Sequence, residues 1–176
     1  MRDFARRYPL FWVYLFFLYF SAVPQLLIHI SGMSGTVGLR QAIIMSLLWL
    51  VPVLVWPRAV RAYSALLGVV LWAASLVGFS YWLVFGQDFS QSVIFIIFES
   101  NAAESLEFVS SYLKPWHVLA VLGFSAVPVW MWRQITVPVL TERYRSRLAV
   151  ALVLVVGWPF WGSLLVKQEG LDKSRY

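Results

Sequence analysis

The 176-residue chain is 61% hydrophobic, has a mean hydropathy of +0.75 and carries only 12% charged residues. A soluble globule is nearer half apolar and a quarter charged, so a soluble domain is excluded. The absence of cysteine excludes disulfides, thiolate nucleophiles and Cys-based metal sites. The net charge of +6 does not describe a nucleic-acid face, because the arginines stand in short segments between apolar runs, where they set membrane orientation.

In chain order, Arg2, Arg6 and Arg7 precede an apolar run over 9–30. The layout imitates a signal peptide. The run is too long for an h-region, however, and no small-residue cleavage site follows, so it reads as a retained first span. Gly32, Gly35 and Gly38 mark a loop. Further spans are predicted over 40–57, 63–86, 116–133 and 147–166, close to the roughly 20 helical residues that cross a hydrocarbon core. Pro24, Pro52, Pro128 and Pro159 fall inside spans, which is tolerated when neighbouring helices satisfy the freed carbonyl. Pro115 is placed to start the fourth span. The chain is therefore expected to be all-α. It would form a polytopic membrane helix bundle of about five transmembrane helices, with a membrane domain over 1–166 and a tail over 167–176. Ten Trp, eight Tyr and thirteen Phe fit interfacial anchors and packing.

The basic residues give an orientation. With the N-terminus in the cytoplasm, nine Lys and Arg lie on the inner side and five on the outer, which predicts N-in, C-out. The basic inner group includes Arg133, Arg143, Arg145 and Arg147, a set that could bind anionic lipid but that topology alone explains. Six of the eight acidic residues then face outward.

Four of those acids lie between spans three and four: Asp88, Glu99, Glu104 and Glu107. The apolar stretch 89–98 is too short to span and predicts an interfacial or re-entrant helix. The more polar half that follows is also helix-compatible. On a helix, Ser100, Glu104, Glu107 and Ser111 fall on one stripe, with Asn101 on its flank. Carboxylates beside lipid are costly and often functional. The stripe reads either as a solvated outer face or as a site for a cationic or hydroxyl-bearing head group, gaining from charge pairing in a partly dry setting. His29 and His117 lie near the outer ends of their spans. No metal-ligand spacing joins them to an acid, and an interfacial, hydrogen-bonding role suits them better.

The run Asp88-Phe89-Ser90-Gln91-Ser92, followed by Phe98-Glu99-Ser100-Asn101-Ala102-Ala103-Glu104-Ser105-Leu106-Glu107-Phe108, resembles the phosphoethanolamine transferases of Gram-negative envelopes. It looks most like the branch acting on the lipopolysaccharide core or lipid A, which carries a similar Gln-Ser, then Phe-Glu-Thr-Asn, then Glu and Glu-Phe run. The layout of five spans with a long outer segment between the third and fourth is also similar. The resemblance implies the membrane half of a two-part protein in the bacterial inner membrane. The other half would be a periplasmic alkaline-phosphatase-like domain with zinc and a threonine nucleophile. Such an enzyme moves phosphoethanolamine from phosphatidylethanolamine, through a phospho-threonine, to a lipopolysaccharide acceptor.

By the same resemblance, a hydroxyl residue and a glutamate four positions later line the donor-lipid site, and these positions hold Ser100 and Glu104. Asn101 matches the branch's Asn. Ile96 stands where the lipid A branch has a further Asn one turn earlier, and Glu99 is the nearest polar substitute. Glu99, Ser100, Asn101, Glu104 and Glu107 form the expected substrate-binding set. The sequence ends at Tyr176, before any such catalytic domain. No catalytic residue, metal ligand or cofactor is therefore assigned to this chain, zinc is expected in that other domain, and no nucleic-acid partner is expected. Two rival readings are a small transporter or channel subunit with Glu99 and Glu104 as ion ligands, and an assembly protein docking a partner through 98–108.

Overall fold

The computed structural model describes residues 2–32, 36–87, 101, 107 and 112–173, with side chains described up to Gly157 in the last helix. Among these residues the chain is helical, and no strand is present. The helices are α1 (Arg2–Arg7), α2 (Pro9–Ile30), α3 (Val37–Ser46), α4 (Leu50–Val55), α5 (Val60–Phe85), α6 (Pro115–Arg133) and α7 (Glu142–Lys173).

Proline and glycine set most of the boundaries. Pro9 and Pro115 occupy the first helical turn of α2 and α6, where a missing N–H costs nothing and φ is already helical. Gly86 ends α5 in the left-handed region (φ 64°) and donates its N–H to the Trp82 carbonyl at 2.7 Å, a cap that a residue with a Cβ resists. Pro52 cannot donate to the carbonyl four residues back, and its ring crowds that carbonyl. The turn just before it, Leu47–Trp49, tightens into a 3₁₀ helix between α3 and α4. Pro24 and Pro128 lie within continuous helices. Gly38, predicted in the first loop, instead stands in the first turn of α3 against the side chain of Gln25.

Four helical stretches are long and apolar enough to cross a membrane: Pro9–Ile30, Val37–Val55, Pro57–Phe85 and Pro115–Arg133. They overlap the first four predicted spans, the second beginning three residues and the third six residues earlier than predicted. The fifth predicted span, 147–166, lies within α7.

Helix α2 is the hub of the bundle. Trp12, Val13, Phe16, Phe17 and Phe20 are buried with Leu50 and Val53 of α4, Val60 of α5, and Met131 and Ile135 at the end of α6. The aromatic rings pack edge to face, Phe16 on Phe17 at 5.2 Å and on Phe20 at 5.3 Å, the arrangement their quadrupoles favour. Among the described residues helix α7 packs mainly on α4, and its Leu152 lies against the core cluster. Leu66 and Val69 of α5, Leu119 and Leu122 of α6, and Val150 and Leu154 of α7 point outward and are exposed. In water such faces would aggregate. Against acyl chains they cost nothing, and helix association then rests on packing and interhelical hydrogen bonds.

Those hydrogen bonds come largely from tryptophan and tyrosine. The Trp12 indole donates to the Met131 carbonyl at 3.0 Å, Trp72 to Ser125 Oγ at 3.0 Å, and Trp132 to the Arg61 carbonyl at 3.0 Å. The Tyr19 hydroxyl donates to the Phe124 carbonyl at 2.8 Å. These aromatics were expected as anchors and packing. They also stitch α2, α5 and α6 together.

Candidate functional site

The outer segment leaves the bundle at Gly86 and returns at Pro115, so both its roots lie at the same end of α5 and α6. That end is well tied. Trp82 of α5 donates to Ser31 Oγ at the end of α2 at 3.0 Å, and Ser31 in turn donates to the Leu27 carbonyl at 2.8 Å. The rings of Phe85 and Tyr112 approach to 6.2 Å, bringing the two roots together. Phe79 of α5 stacks on Phe124 of α6 at 4.4 Å and 13°.

At the return root, buried His117 caps its own helix. Its Nδ1 accepts the Lys114 N–H at 2.8 Å, and its own N–H donates to the Lys114 carbonyl at 2.9 Å. This satisfies a donor at the mouth of the helix. The hydrogen-bonding role expected for His117 is the one it fills. Among the described residues no group of three His, Cys, Asp or Glu converges as a metal site.

Of the predicted binding set, Asn101 and Glu107 are described and both are exposed. Glu99, Ser100 and Glu104 lie outside the described residues, as does Ile96. The structure therefore places the roots of the segment, one member of the stripe, Glu107, and its flanking Asn101. The opposite end of the bundle is basic. Arg61 lies over the Trp132 ring at 5.2 Å, and Arg145 pairs with Glu142 at 3.7 Å. Sequence reading missed the indole-to-carbonyl ties, because periodicity shows which residues are apolar but not which carbonyl a distant indole reaches.

The fold and this layout define a polytopic helical membrane protein whose end opposite the outer segment is basic. Over 164 residues, 93% of its length, the chain is 37% identical to "Phosphoethanolamine transferase CptA" of Salmonella typhimurium strain LT2. It has the same identity and coverage with "Phosphoethanolamine transferase EptC" of Escherichia coli strain K12. The match covers 28% of each of these proteins, so the chain spans little more than a quarter of the length of the curated relatives it matches. No family model and no solved structure matches the chain. The resemblance read from the outer segment thus agrees with similarity along nearly the whole chain.

Proposed function

We propose that this chain is the membrane domain of a phosphoethanolamine transferase. It anchors the enzyme and presents the donor lipid, phosphatidylethanolamine, to a periplasmic catalytic domain that serves a lipopolysaccharide acceptor. The observation that carries this reading is the 37% identity over 93% of the chain to transferases of that name. In this reading the chain lies in the bacterial inner membrane with its N-terminus cytoplasmic, as the excess of Lys and Arg on that side favours.

Glu104, with Glu99 and Glu107, would accept hydrogen bonds from the ethanolamine ammonium. Ser100 and Asn101 would bond the other polar atoms of the head group. A carboxylate paired with an ammonium at a partly dry membrane edge makes a strong, charge-assisted bond. In this reading the zinc expected of such an enzyme belongs to the catalytic domain, as does the nucleophile that forms the covalent intermediate. The rival transporter reading calls for ionisable groups deep in the spans. In the four candidate spans His29, Arg40, Arg58, Arg61, His117 and Arg133 all stand within a turn or so of a helix end.

Hydrogen exchange of 98–108 in nanodiscs tests the site. Phosphatidylethanolamine should slow exchange there relative to phosphatidylcholine, and Glu104→Ala should abolish the difference. Equal exchange in the two lipids, together with unchanged transfer by the full-length enzyme carrying Glu104→Ala, would sink the donor-site reading.

A further inference from the structure

The outer segment leaves the bundle by way of a short line of hydrogen bonds that begins on α2. Ser31 caps the C-terminal end of α2 and donates its hydroxyl to the Leu27 carbonyl at 2.8 Å. The Ser31 oxygen accepts the indole N–H of Trp82 on α5 at 3.0 Å. One turn further along α5, the Gly86 N–H donates to the Trp82 carbonyl at 2.7 Å, in the left-handed turn where the helix stops (φ 64°). Trp82 thus holds α2 with its side chain and the turn into the outer segment with its backbone.

The chemistry of this line allows one direction. An indole N–H only donates, and a serine hydroxyl has one proton to give. With that proton on the Leu27 carbonyl, Ser31 Oγ keeps its lone pairs for Trp82, so each bond orients the next and strengthens it. Interfacial anchoring does not account for the pairing. A tryptophan that only anchors a span leaves its N–H to water or lipid head groups. This one reaches a side chain on another helix, 51 residues away in sequence. Packing alone would be served by phenylalanine.

We infer that Trp82 is a positioning residue for the outer segment. Gly86 supplies the turn, and Trp82, through Ser31, keeps that turn in one place against α2. It thereby sets where the segment leaves α5 and where Asn101 and Glu107 stand relative to the bundle. The return root has a support of its own in the His117 cap, and α5 is joined to α6 lower down by Phe79 on Phe124. Loss of the Trp82 bond therefore loosens the exit without unfolding the bundle. The effect on the segment stands on this geometry alone. Its consequence for phosphatidylethanolamine rests on the donor-lipid reading.

The chain has no cysteine, so Ile30→Cys and Gln87→Cys, both at exposed positions, carry the only spin labels. Electron paramagnetic resonance in nanodiscs then reads the distance from the end of α2 to the start of the outer segment. The labelled parent should give one narrow distribution. Trp82→Phe and Ser31→Ala should each broaden it, and the two together should broaden it no more than either alone. Ser31→Thr, which keeps a hydroxyl, should leave it narrow. So should Trp72→Phe, which removes an indole bond of the same 3.0 Å length, to Ser125 Oγ, from the middle of α5. The apparent affinity for phosphatidylethanolamine, read from protection of 98–108 against hydrogen exchange, should fall about three- to fifteen-fold in Trp82→Phe, the factor one interhelical hydrogen bond represents. It should not change in Trp72→Phe. An unchanged distribution in Trp82→Phe overturns the inference, as does equal broadening in Trp72→Phe. Should Trp82→Phe prove misfolded by circular dichroism, Ser31→Ala against Ser31→Thr decides the same point. A parent chain that does not distinguish phosphatidylethanolamine from phosphatidylcholine refutes the donor-lipid reading instead, and the distance result still decides the role of Trp82. Broadening with unchanged lipid affinity would overturn its bearing on the head-group site.

Discussion

Gly68 gives the sharpest test of how α2 and α5 meet. It is buried on α5 where Phe16 of α2 crosses, and a Cβ there would stand 2.7 Å from Phe16 Cζ and 3.2 Å from Cε1. Phe16 has little room to yield, being 2% exposed and wedged edge to face between Phe17 and Phe20. Overpacking of this kind costs about 1–3 kcal/mol. Alanine also gains roughly 1 kcal/mol of helix propensity over glycine, so the single variant measures a difference of two terms. Gly78 removes the ambiguity. It lies on the same helix, and a Cβ there meets nothing within 4 Å. Both substitutions gain the propensity term, so Gly68→Ala should be less stable than Gly78→Ala by about the steric cost alone, 1–3 kcal/mol. Unfolding of the purified chain in mixed micelles, followed by far-UV circular dichroism, reads the difference. Phe16→Leu in the Gly68→Ala background should recover part of the loss through coupling between the two sites. Equal stability of the two alanine variants would mean that α2 and α5 do not approach this closely.

Two further substitutions address the hydrogen bonds. Trp12→Phe keeps an aromatic ring but removes the N–H that reaches the Met131 carbonyl at 3.0 Å. It should cost about 0.6 to 1.7 kcal/mol, the range of interhelical hydrogen bonds within a bilayer, in the same unfolding assay. His117→Ala removes the acceptor for the Lys114 N–H and should cost roughly 1 kcal/mol as a lost helix cap. Amide exchange at Lys114 should quicken in that variant and slow again in His117→Asn, whose side-chain oxygen can accept the same proton.

The spans were readable because their signal is simple: some 20 apolar residues without charge leave few alternatives in a chain this hydrophobic. Pro115 also announced the start of α6. Helix α1 and the 3₁₀ turn before Pro52 were less legible. Six residues at a chain end carry no periodicity to read, and a proline shows that a helix will be strained without saying which turn tightens. Gly38 was misplaced because three glycines in seven residues look like a loop, whereas its missing side chain makes room for Gln25. For the candidate site the outer acids stood out by composition. The cleft lined by Arg6, Arg133, Gln134 and Thr136 at the other end did not, because Arg6 and Arg133 are far apart in sequence.

The acidic segment connects α5 to α6, so whatever it binds can be placed no more accurately than those two helices are. Helix α2 fixes both. It meets α6 through Trp12 near one end and Tyr19 midway, and it meets the end of α5 through Ser31 and Trp82. Phe79 against Phe124 and Trp72 against Ser125 then join α5 to α6 directly. The roots of the segment are thus set in a triangle of helices tied on every side, which is the support a binding loop needs to hold a ligand in a fixed geometry. Helix α7 lies outside that triangle, against α4. A rigid seat for a lipid head group is what a donor-presenting domain needs. An ion pathway would need ionisable groups along the centre of the bundle, and the buried polar side chains among the described residues are the uncharged Ser46 and Ser64, with His117 at the start of α6.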